Sequence, residues 1–275
     1  MNPTLPETRR FLTLWTDPVL RRRAVRFFTD GLLRGDRRLA GELIGRLDAL
    51  LRPRLPAADS EVHCALRSLV ARNRAAYDAA FAADDRERVG RRVEQVARLV
   101  TARPRAVLDI GAGDGAIAAR LKEHWDGVPV YALDPARCGR TPAAAWLTCR
   151  SDGSIPLPDA SVDLVTCLMV LHHVPRPQAL LGEARRVLRP GGTLLVRETD
   201  AALPEDALFS AVMDELFYAV LRAVPGVPAP AAYRCARDWG SLFERLGFIT
   251  MPAVGREPGN PFNPVYFVLG RLEPR

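Results

Sequence analysis

Lysine is almost absent from this chain of 275 residues. Its basic side chains are 38 arginines and one lysine, Lys122, against 32 acidic residues, which gives a formal net charge of +7. So one-sided a use of arginine, together with many alanines, is typical of a GC-rich coding sequence. The high arginine content is therefore weak evidence for a nucleic-acid partner.

Long apolar runs are also missing. The longest substantial apolar run, residues 164–171, is interrupted by Thr166. A membrane-spanning helix, by contrast, needs about 20 apolar residues. Hydrophobic residues nevertheless make up 48 % of the chain and charged residues 26 %, which is the composition of a globular protein with a sizeable core. The composition argues against both a membrane-spanning protein and a disordered chain.

Cysteine and histidine are scarce. The five cysteines are an odd number without a Cys-x-x-Cys pair, and two of the four histidines, His172 and His173, are adjacent rather than one helical turn apart. Disulfide frameworks and zinc sites need other spacings. Polar residues within 11–20 and acidic residues within the first 36 also argue against a secretory signal and a transit peptide. We therefore expect no metal site and a reducing, cytoplasmic location.

Charge divides the chain into two parts. Residues 1–105 hold 22 arginines and 13 acidic residues, a net charge of +9, whereas residues 106–275 have a net charge of −2. Stretches of the first part carry apolar residues at helical spacing, the pattern of helices that bury one face. We predict a helical N-terminal extension over 1–88, which would cap a pocket or bind a partner, and a second domain over 89–275.

The second part alternates strands and helices. Buried-strand patterns at 106–110, 129–134, 162–170 and 193–198 are separated by helical segments. This alternation predicts a doubly wound α/β sheet. Two further segments, 247–254 and 264–271, predict an antiparallel hairpin.

A glycine-rich turn follows the first of these strands. Gly111, Gly113 and Gly115 let the backbone bend tightly and approach a ligand closely, ahead of a helix. Asp134 ends the next strand, where an acidic side chain can bind ribose hydroxyls, and Asp152 lies in a loop 18 residues later. The arrangement predicts a ligand that contains adenosine, held across successive strand ends.

Three more motifs follow in order: Ile-Pro-Leu-Pro-Asp at 155–159, Leu-His-His-Val at 171–174 and Arg-Pro-Gly-Gly at 189–192. Over about residues 90–270 the whole set resembles the class I S-adenosylmethionine-dependent methyltransferases, and most of all the type 11 group that includes ubiquinone and menaquinone methyltransferases. The resemblance implies a seven-stranded Rossmann-like sheet, S-adenosyl-L-methionine as cofactor and methyl transfer as the activity.

The resemblance also implies a role for each matching residue. The loop 111–115 would pass beside the methionine moiety of the cofactor, with Asp109 near its amino group. Asp134 would bind the ribose hydroxyls, and Asp152 the adenine amino group. The implied cofactor-binding residues are Asp109, Gly111, Ala112, Gly113, Gly115, Asp134, Pro135, Asp152, Gly153, Leu168 and Met169.

Methyl transfer mainly requires the enzyme to position the acceptor in line with the methyl group, because a sulfonium is already an activated methyl donor. A base is needed only where the acceptor must lose a proton. His172 and His173, at the end of the strand 162–170, are the candidate catalytic residues, and a structural pair is the alternative interpretation. For Glu198 and Asp200 we favour helix capping or pairing with Arg197 over catalysis.

Several functions stay open at this point. The leading hypothesis is methylation of a small molecule at O, N or C. A nucleic-acid or protein methyltransferase is an alternative, since arginines at 21–23, 26, 34, 37 and 38 could bind a polyanion. A non-catalytic cofactor-binding partner protein is another. The spacing Gly111-x-Gly113-x-x-Ala116 also fits the glycine fingerprint of nicotinamide dehydrogenases. That interpretation, however, does not explain the His-His and Arg-Pro-Gly-Gly motifs. The oligomeric state and the acceptor atom stay open.

Overall fold

The computed structural model describes residues 9–52, 56–100, 102–135, 141–142, 145–224, 229–250 and 255–271. The chain divides into two compact units. The first, here called the helical unit, comprises the described residues of 1–88 and 203–224. The second, the α/β unit, comprises those of 89–202 and 225–275.

The α-helices of the described residues are, in chain order, α1 (Arg10–Thr16), α2 (Pro18–Arg26), α3 (Arg37–Leu51), α4 (Asp59–Arg72), α5 (Arg74–Leu99), α6 (Ala116–His124), α7 (Pro177–Val187), α8 (Pro204–Glu215) and α9 (Ala236–Arg245). Short π-helical segments follow α2 and α8, at Phe27–Leu32 and Leu216–Leu221. None of the helices in the described ranges is both long and apolar enough to cross a membrane.

The helical unit buries the apolar faces of its helices. Asp17 starts α2, because its Oδ1 accepts hydrogen bonds from the N–H groups of Val19 and Leu20 at 2.8 and 2.9 Å. Ion pairs bind α8 to the N-terminal helices: Arg23 meets Asp206 at 2.7 Å, and Arg10 meets Glu215 at 2.6 Å. Segment 203–224, which the sequence-based boundary places in the second part, therefore packs within the helical unit.

The α/β unit is built on one sheet. Its strands are β1 (Val107–Ile110), β2 (Val130–Leu133), β3 (Ala145–Leu147), β4 (Val162–Leu168), β5 (Leu188–Thr199), β6 (Phe248–Thr250) and β7 (Pro264–Arg271). They lie in the order β3-β2-β1-β4-β5-β7-β6. β1 to β5 are parallel, and β7 is antiparallel to both of its neighbours. The predicted doubly wound, seven-stranded sheet is confirmed.

Two apolar clusters cover the two faces of this sheet. One packs alternate residues of β1, β4 and β5, such as Leu108 and Val165, against α7 and α9. The other packs the remaining residues, such as Val107 and Leu164, against α6 and the last turns of α5. Because both faces are covered, the central strands are apolar on both sides. This nearly continuous apolar pattern is the sequence feature that predicted buried strands.

The structure corrects one strand boundary and adds one strand. The Arg-Pro-Gly-Gly motif is not a turn before the strand but a bulge inside β5, since Leu188 already pairs with Val162 and Thr193 pairs with Leu164. β3 was not predicted, because three half-exposed residues carry no strand pattern. In the C-terminal hairpin, β6 pairs with β7 as expected, while residues 251–254 of the predicted first strand lie outside the described ranges.

Candidate functional site

The carboxyl ends of β1, β2, β4 and β5 meet at one edge of the sheet. The register aligns Ile110 with Leu133 on one side and with Cys167 on the other. The chain leaves β1 for β2 on one side, and β4 lies on the other, so the strand order reverses at β1. Ligands of doubly wound sheets bind at such a switch point.

The glycine loop, residues 111–115, turns the chain from β1 into α6. Gly111, Gly113 and Gly115 have φ angles of +71°, +59° and +81°, a backbone conformation that costs other residues about 1–2 kcal/mol. The N–H of Gly113 donates to Oδ2 of Asp134 at 2.9 Å. The loop and the carboxylate that ends β2 are thus in direct contact.

Asp109 lies beneath this loop on β1 and is 2 % exposed. Its Oδ1 accepts a hydrogen bond from Oγ1 of Thr166 at 2.6 Å, while Oδ2 is buried without a partner among the described residues. Burial raises the pKa of Asp109 to about 7, against the lowering effect of the Thr166 hydroxyl and with a further raising effect of Asp134. A buried oxygen with no donor suits a cationic ligand group.

Asp152 and Gly153 form an exposed turn of their own. Oδ1 of Asp152 accepts the N–H of Ser154 at 2.8 Å, and the hydrogen bonds from Ser154 lower the pKa of the carboxyl group. Gly153 has a φ of +86° and donates its N–H to the carbonyl of Arg150 at 2.9 Å. The structure thus places the contacts of Asp152 within its own loop. Pro135, directly after Asp134, is exposed.

The end of β4 supplies Leu168 and Met169. Met169 has a φ of +63° although it is not glycine, and its N–H donates to the carbonyl of Arg197 on β5 at 2.7 Å. Such a conformation costs of the order of 1 kcal/mol and persists only where surrounding contacts enforce it. β4 therefore ends in a fixed bend at the switch point.

His172 and His173 follow that bend in a 3-10 turn, Leu171–His173. Their ring centroids lie 4.2 Å apart. His172 is 1 % exposed, and its Nδ1 lies 2.7 Å from Oε2 of Glu198. The other oxygen of Glu198, Oε1, accepts the N–H groups of Val170 and Leu171 at 2.9 and 2.6 Å. Glu198 therefore caps this turn and pairs with His172.

Arg197, the partner favoured from the sequence for Glu198 and Asp200, binds Glu257 instead, through Nε at 3.0 Å and Nη2 at 3.2 Å. Arg92 reaches the same carboxylate at 2.7 Å. Sequence reasoning missed Glu257, because it lies in an irregular segment far from both arginines and carries no local signal. Asp200 fits the capping interpretation, since it accepts the N–H of Ala236 at the start of α9 at 2.7 Å.

The residues at the switch point fit S-adenosylmethionine. The unpartnered oxygen of Asp109 suits an ammonium group. A Cβ atom at Gly113 would meet nothing within 4 Å, so the loop has open space beside it for a ligand. Asp134 ends β2, where ribose hydroxyls are bound in such folds.

Comparison with known proteins agrees with this geometry. Residues 108–196 match the methyltransferase domain family of type 11. The chain contains a methyltransferase domain. This match begins in β1 and ends in β5, so it covers the strands whose carboxyl ends form the site. The resemblance seen in the motifs is confirmed.

Curated relatives match this methyltransferase domain over part of their length. The chain is 34% identical over 99 residues to a demethylmenaquinone methyltransferase of Tropheryma whipplei, covering 34% of this chain and 41% of the relative. It is 37% identical over 125 residues to an uncharacterized methyltransferase of Mycobacterium tuberculosis, covering 43% and 49%. It is 33% identical over 100 residues to a malonyl-[acyl-carrier protein] O-methyltransferase of Xylella fastidiosa, covering 34% of each. The matches thus span half of these relatives or less.

Solved structures show the same fold. A Thermotoga maritima methyltransferase, described as a possible histamine N-methyltransferase, has a TM-score of 0.50 at 19% identity and covers 75% of this chain and 99% of its own. A Pyrococcus horikoshii protein has a TM-score of 0.50 at 15% identity and covers 68% and 91%. At these identities the likeness establishes the methyltransferase fold of the domain and leaves the acceptor open.

Proposed function

We propose that this protein transfers the methyl group of S-adenosylmethionine to a small-molecule acceptor. The observation that carries the proposal is the buried Asp109 carboxyl group under the glycine loop, with Oδ2 unpartnered and Asp134 held against Gly113. These groups stand at the switch point of a methyltransferase domain. A buried carboxyl oxygen without a donor is costly, and a bound ammonium group such as that of the cofactor would offset this cost.

The chain's own residues then have distinct tasks. Asp109 would bind the ammonium group of the cofactor, Asp134 would orient the ribose, and Asp152 with Gly153 would contact the adenine. Leu168 and Met169 would form the apolar floor beneath them. The bound cofactor supplies an activated methyl group on a sulfonium. What remains for the protein is to align the acceptor and exclude water, which supplies much of the acceleration in such reactions.

Two observations favour a small acceptor. Two of the relatives are a demethylmenaquinone methyltransferase and a malonyl-[acyl-carrier protein] O-methyltransferase. In addition, five of the seven arginines that suggested a polyanion form ion pairs within the helical unit. Ion pairs there include Arg21–Asp48, Arg23–Asp206, Arg26–Asp30, Arg34–Glu87 and Arg38–Glu42. Paired arginines contribute little long-range field, so this unit is a weaker polyanion site than its net charge suggests.

The domain organisation stays part of the proposal. We infer that residues 1–88 form a helical extension that serves acceptor selection or partner binding, and that residues 89–275 form the methyltransferase domain. The extension is joined by α8, because Asp206 and Glu215 bind Arg23 and Arg10.

Calorimetry with S-adenosylhomocysteine tests cofactor binding on the whole chain. The wild type is expected to bind, and Asp134→Ala is expected to bind at least about tenfold more weakly, because charge-assisted hydrogen bonds are lost. Asp126→Ala is the matched control, since Asp126 is an exposed acid of the same unit, and its affinity should equal that of the wild type. Absence of binding by the wild type, or equal binding by both variants, would refute the proposal.

Labelled S-adenosylmethionine tests the acceptor class. We suggest a panel of phenols, thiols, carboxylates, primary amines and tertiary amines, with total RNA and a mixed protein extract as macromolecular acceptors. Label is expected in the small-molecule fraction. Label in RNA, together with RNA binding that weakens steeply between 50 and 200 mM salt, would replace the small acceptor by a polyanion.

A further inference from the structure

The motif Ile-Pro-Leu-Pro-Asp at 155–159 is held against α7 by one arginine. Arg186 donates hydrogen bonds from Nη2 to the carbonyl oxygen of Ile155 at 2.8 Å and from Nη1 to that of Leu157 at 2.9 Å. Nη1 also donates to Oδ1 of Asp159 at 2.7 Å. A single guanidinium group therefore fixes three positions of this motif, two of them through the backbone.

Glu183, one turn earlier on α7, completes this contact. Its Oε1 and Oε2 accept hydrogen bonds from Nε and Nη2 of Arg186 at 2.9 and 2.7 Å, and Oε2 also accepts the N–H of Ile155 at 2.8 Å. The hydrogen bond from Arg186 lowers the pKa of Glu183, so the carboxylate is ionised at neutral pH and accepts at both oxygens. Both backbone groups of Ile155 are thus bound by two side chains of α7, here named the α7 pair.

The turn that carries Asp152 leads directly into this anchor. Its shape is set locally, because the N–H of Arg150 donates to the carbonyl oxygen of Ser154 at 2.9 Å. Asp152 itself is exposed, whereas Ile155, directly after Ser154, is 0 % exposed. On its other side the turn follows β3, a strand of only 3 residues at the edge of the sheet. Local hydrogen bonds thus shape the turn, and the buried Ile155 sets the direction in which it points.

We propose that Glu183 and Arg186 are positioning residues for cofactor recognition: they orient the turn so that the carboxylate of Asp152 accepts the amino group of adenine. The inference rests on the proposed function. A carboxylate offers about four acceptor positions, so the hydrogen bond that Asp152 already accepts from Ser154 leaves capacity for the amino group. An arginine suits this task because its planar, forked group reaches two carbonyl oxygens and two carboxylates at once, whereas the ammonium group of a lysine is a single point charge.

Two ligands that differ at one group test this role on the whole chain. S-adenosylhomocysteine carries the adenine amino donor, and S-inosylhomocysteine carries an oxygen acceptor in its place. Calorimetry is expected to show that the wild type binds the adenosine compound at least about tenfold more tightly, the range of one hydrogen bond to a charged group. Arg186→Met should weaken the binding of S-adenosylhomocysteine by about tenfold and should not weaken that of S-inosylhomocysteine, which lacks the contact at stake. A merely structural arginine would instead alter the melting temperature and leave the ratio of the two affinities unchanged.

Three further variants sharpen the comparison. Arg186→Lys should behave like Arg186→Met, since an ammonium group cannot span the motif. Glu183→Gln keeps an acceptor for the N–H of Ile155, so it should fold and show the same selective loss in weaker form, and it replaces Arg186→Met if that variant does not fold. Arg105→Met is the matched control, because Arg105 pairs with Asp163 at 3.2 Å and its side chain is 78 % exposed. Both of its affinities should equal those of the wild type.

A double-variant cycle with Asp152→Ala decides whether the α7 pair acts through Asp152. In the Asp152→Ala background, Arg186→Met should cause no further loss of affinity for S-adenosylhomocysteine, because both substitutions remove the same contact. Losses that multiply in the double variant would overturn the inference. An unchanged ratio of the two affinities in Arg186→Met would do the same, as would equal binding of both ligands by the wild type. Failure of the wild type to bind S-adenosylhomocysteine would instead refute the proposed function.

Discussion

A Cβ atom on Gly111 would lie 2.2 Å from Cγ2 of Val170, so these two residues pack without room for a side chain between them. Gly111 follows β1, and Val170 follows β4 in the turn that Glu198 caps. The contact therefore joins the ends of the two strands that flank the switch point. Glycine is required here both by this contact and by a φ of +71°.

Gly111→Ala should destabilise the protein markedly. The positive φ angle costs about 1–2 kcal/mol, and the clash with Val170 adds about 1–3 kcal/mol, the usual cost of overpacking. Removing methyl groups in the double variant Gly111→Ala with Val170→Ala should recover part of the loss, because neighbouring substitutions couple. Urea unfolding of the four proteins measures this coupling.

Gly113→Ala is the matched comparison for Gly111→Ala. Its φ is +59°, but an added Cβ would meet nothing within 4 Å. We expect a stability loss of only about 1–2 kcal/mol, from backbone strain alone. Affinity for S-adenosylhomocysteine should fall further than stability, because the Cβ enters the space that the ligand needs. Equal unfolding free energies for the two variants would contradict the packing argument.

Asp109→Asn should change how stability depends on pH. Burial raises the pKa of Asp109 from 3.8 to about 7, so the folded state holds the proton more tightly than the unfolded chain. The contribution of Asp109 to the wild-type free energy of unfolding is fully present below about pH 4 and is lost as the pH rises through about 7. The loss amounts to as much as about 4 kcal/mol. The asparagine does not titrate, so its stability relative to the wild type should rise across this window.

Melting temperatures of wild type and Asp109→Asn between pH 4 and 8 test this expectation. The exposed Asp126→Asn serves as the control and should keep the wild-type pH dependence. S-adenosylhomocysteine should reduce the wild-type loss at pH 8, because its ammonium group would neutralise the carboxylate, and it should stabilise Asp109→Asn less. Parallel pH profiles for wild type and Asp109→Asn would show that burial does not govern this carboxyl group.

The sheet and the glycine loop could be predicted because their signals are local. The pattern placed the first strand at 106–110, and β1 is Val107–Ile110. Three glycines at alternate positions indicated a tight turn, and all three adopt positive φ angles. Asp134 could be placed beside the loop because parallel strands end at the same edge.

The partners of the buried charges could not be predicted, because they depend on distant chain segments meeting. Glu198 meets His172 across 26 residues, and Arg197 meets Glu257 across 60. Adjacent positions on β5 point to opposite faces, so Glu198 and Arg197 never compete for one partner. The sequence-based interpretation favours helix capping or pairing with Arg197 for Glu198, and in the folded sheet Glu198 and Arg197 instead contact different partners.

Glu257→Gln should remove an acid-sensitive contribution to stability. Arg197 and Arg92 outweigh burial and lower the pKa of Glu257 from 4.5 to about 2. Because the pKa is lowered in the folded state, the contribution of the Glu257 carboxylate to the free energy of unfolding is complete above about pH 4.5. It is lost as the pH falls to about 2. It amounts to about 3 kcal/mol. The unfolding free energies of wild type and variant should differ by a constant amount above about pH 5, approach each other as the pH falls, and converge below about pH 2.

Asp59→Ala should destabilise the helical unit through the start of α1. Arg9, the residue before α1, gives no side-chain cap. Instead Asp59, 48 residues from Phe11 and only 6 % exposed, accepts the N–H groups of Arg10 at 3.0 Å and Phe11 at 3.2 Å. Loss of a cap costs about 0.5–2 kcal/mol, and buried N–H groups left unpaired raise that cost.

Urea unfolding followed by helical circular dichroism tests the role of Asp59. Asp59→Asn keeps one acceptor oxygen and should lose about half as much stability as Asp59→Ala. Asp78→Ala is the control, because Asp78 only pairs with Arg74 on the exposed face of α5, and such pairs contribute about 0.3–0.5 kcal/mol. A loss in Asp59→Ala no larger than in Asp78→Ala would mean that α1 begins without help from α4.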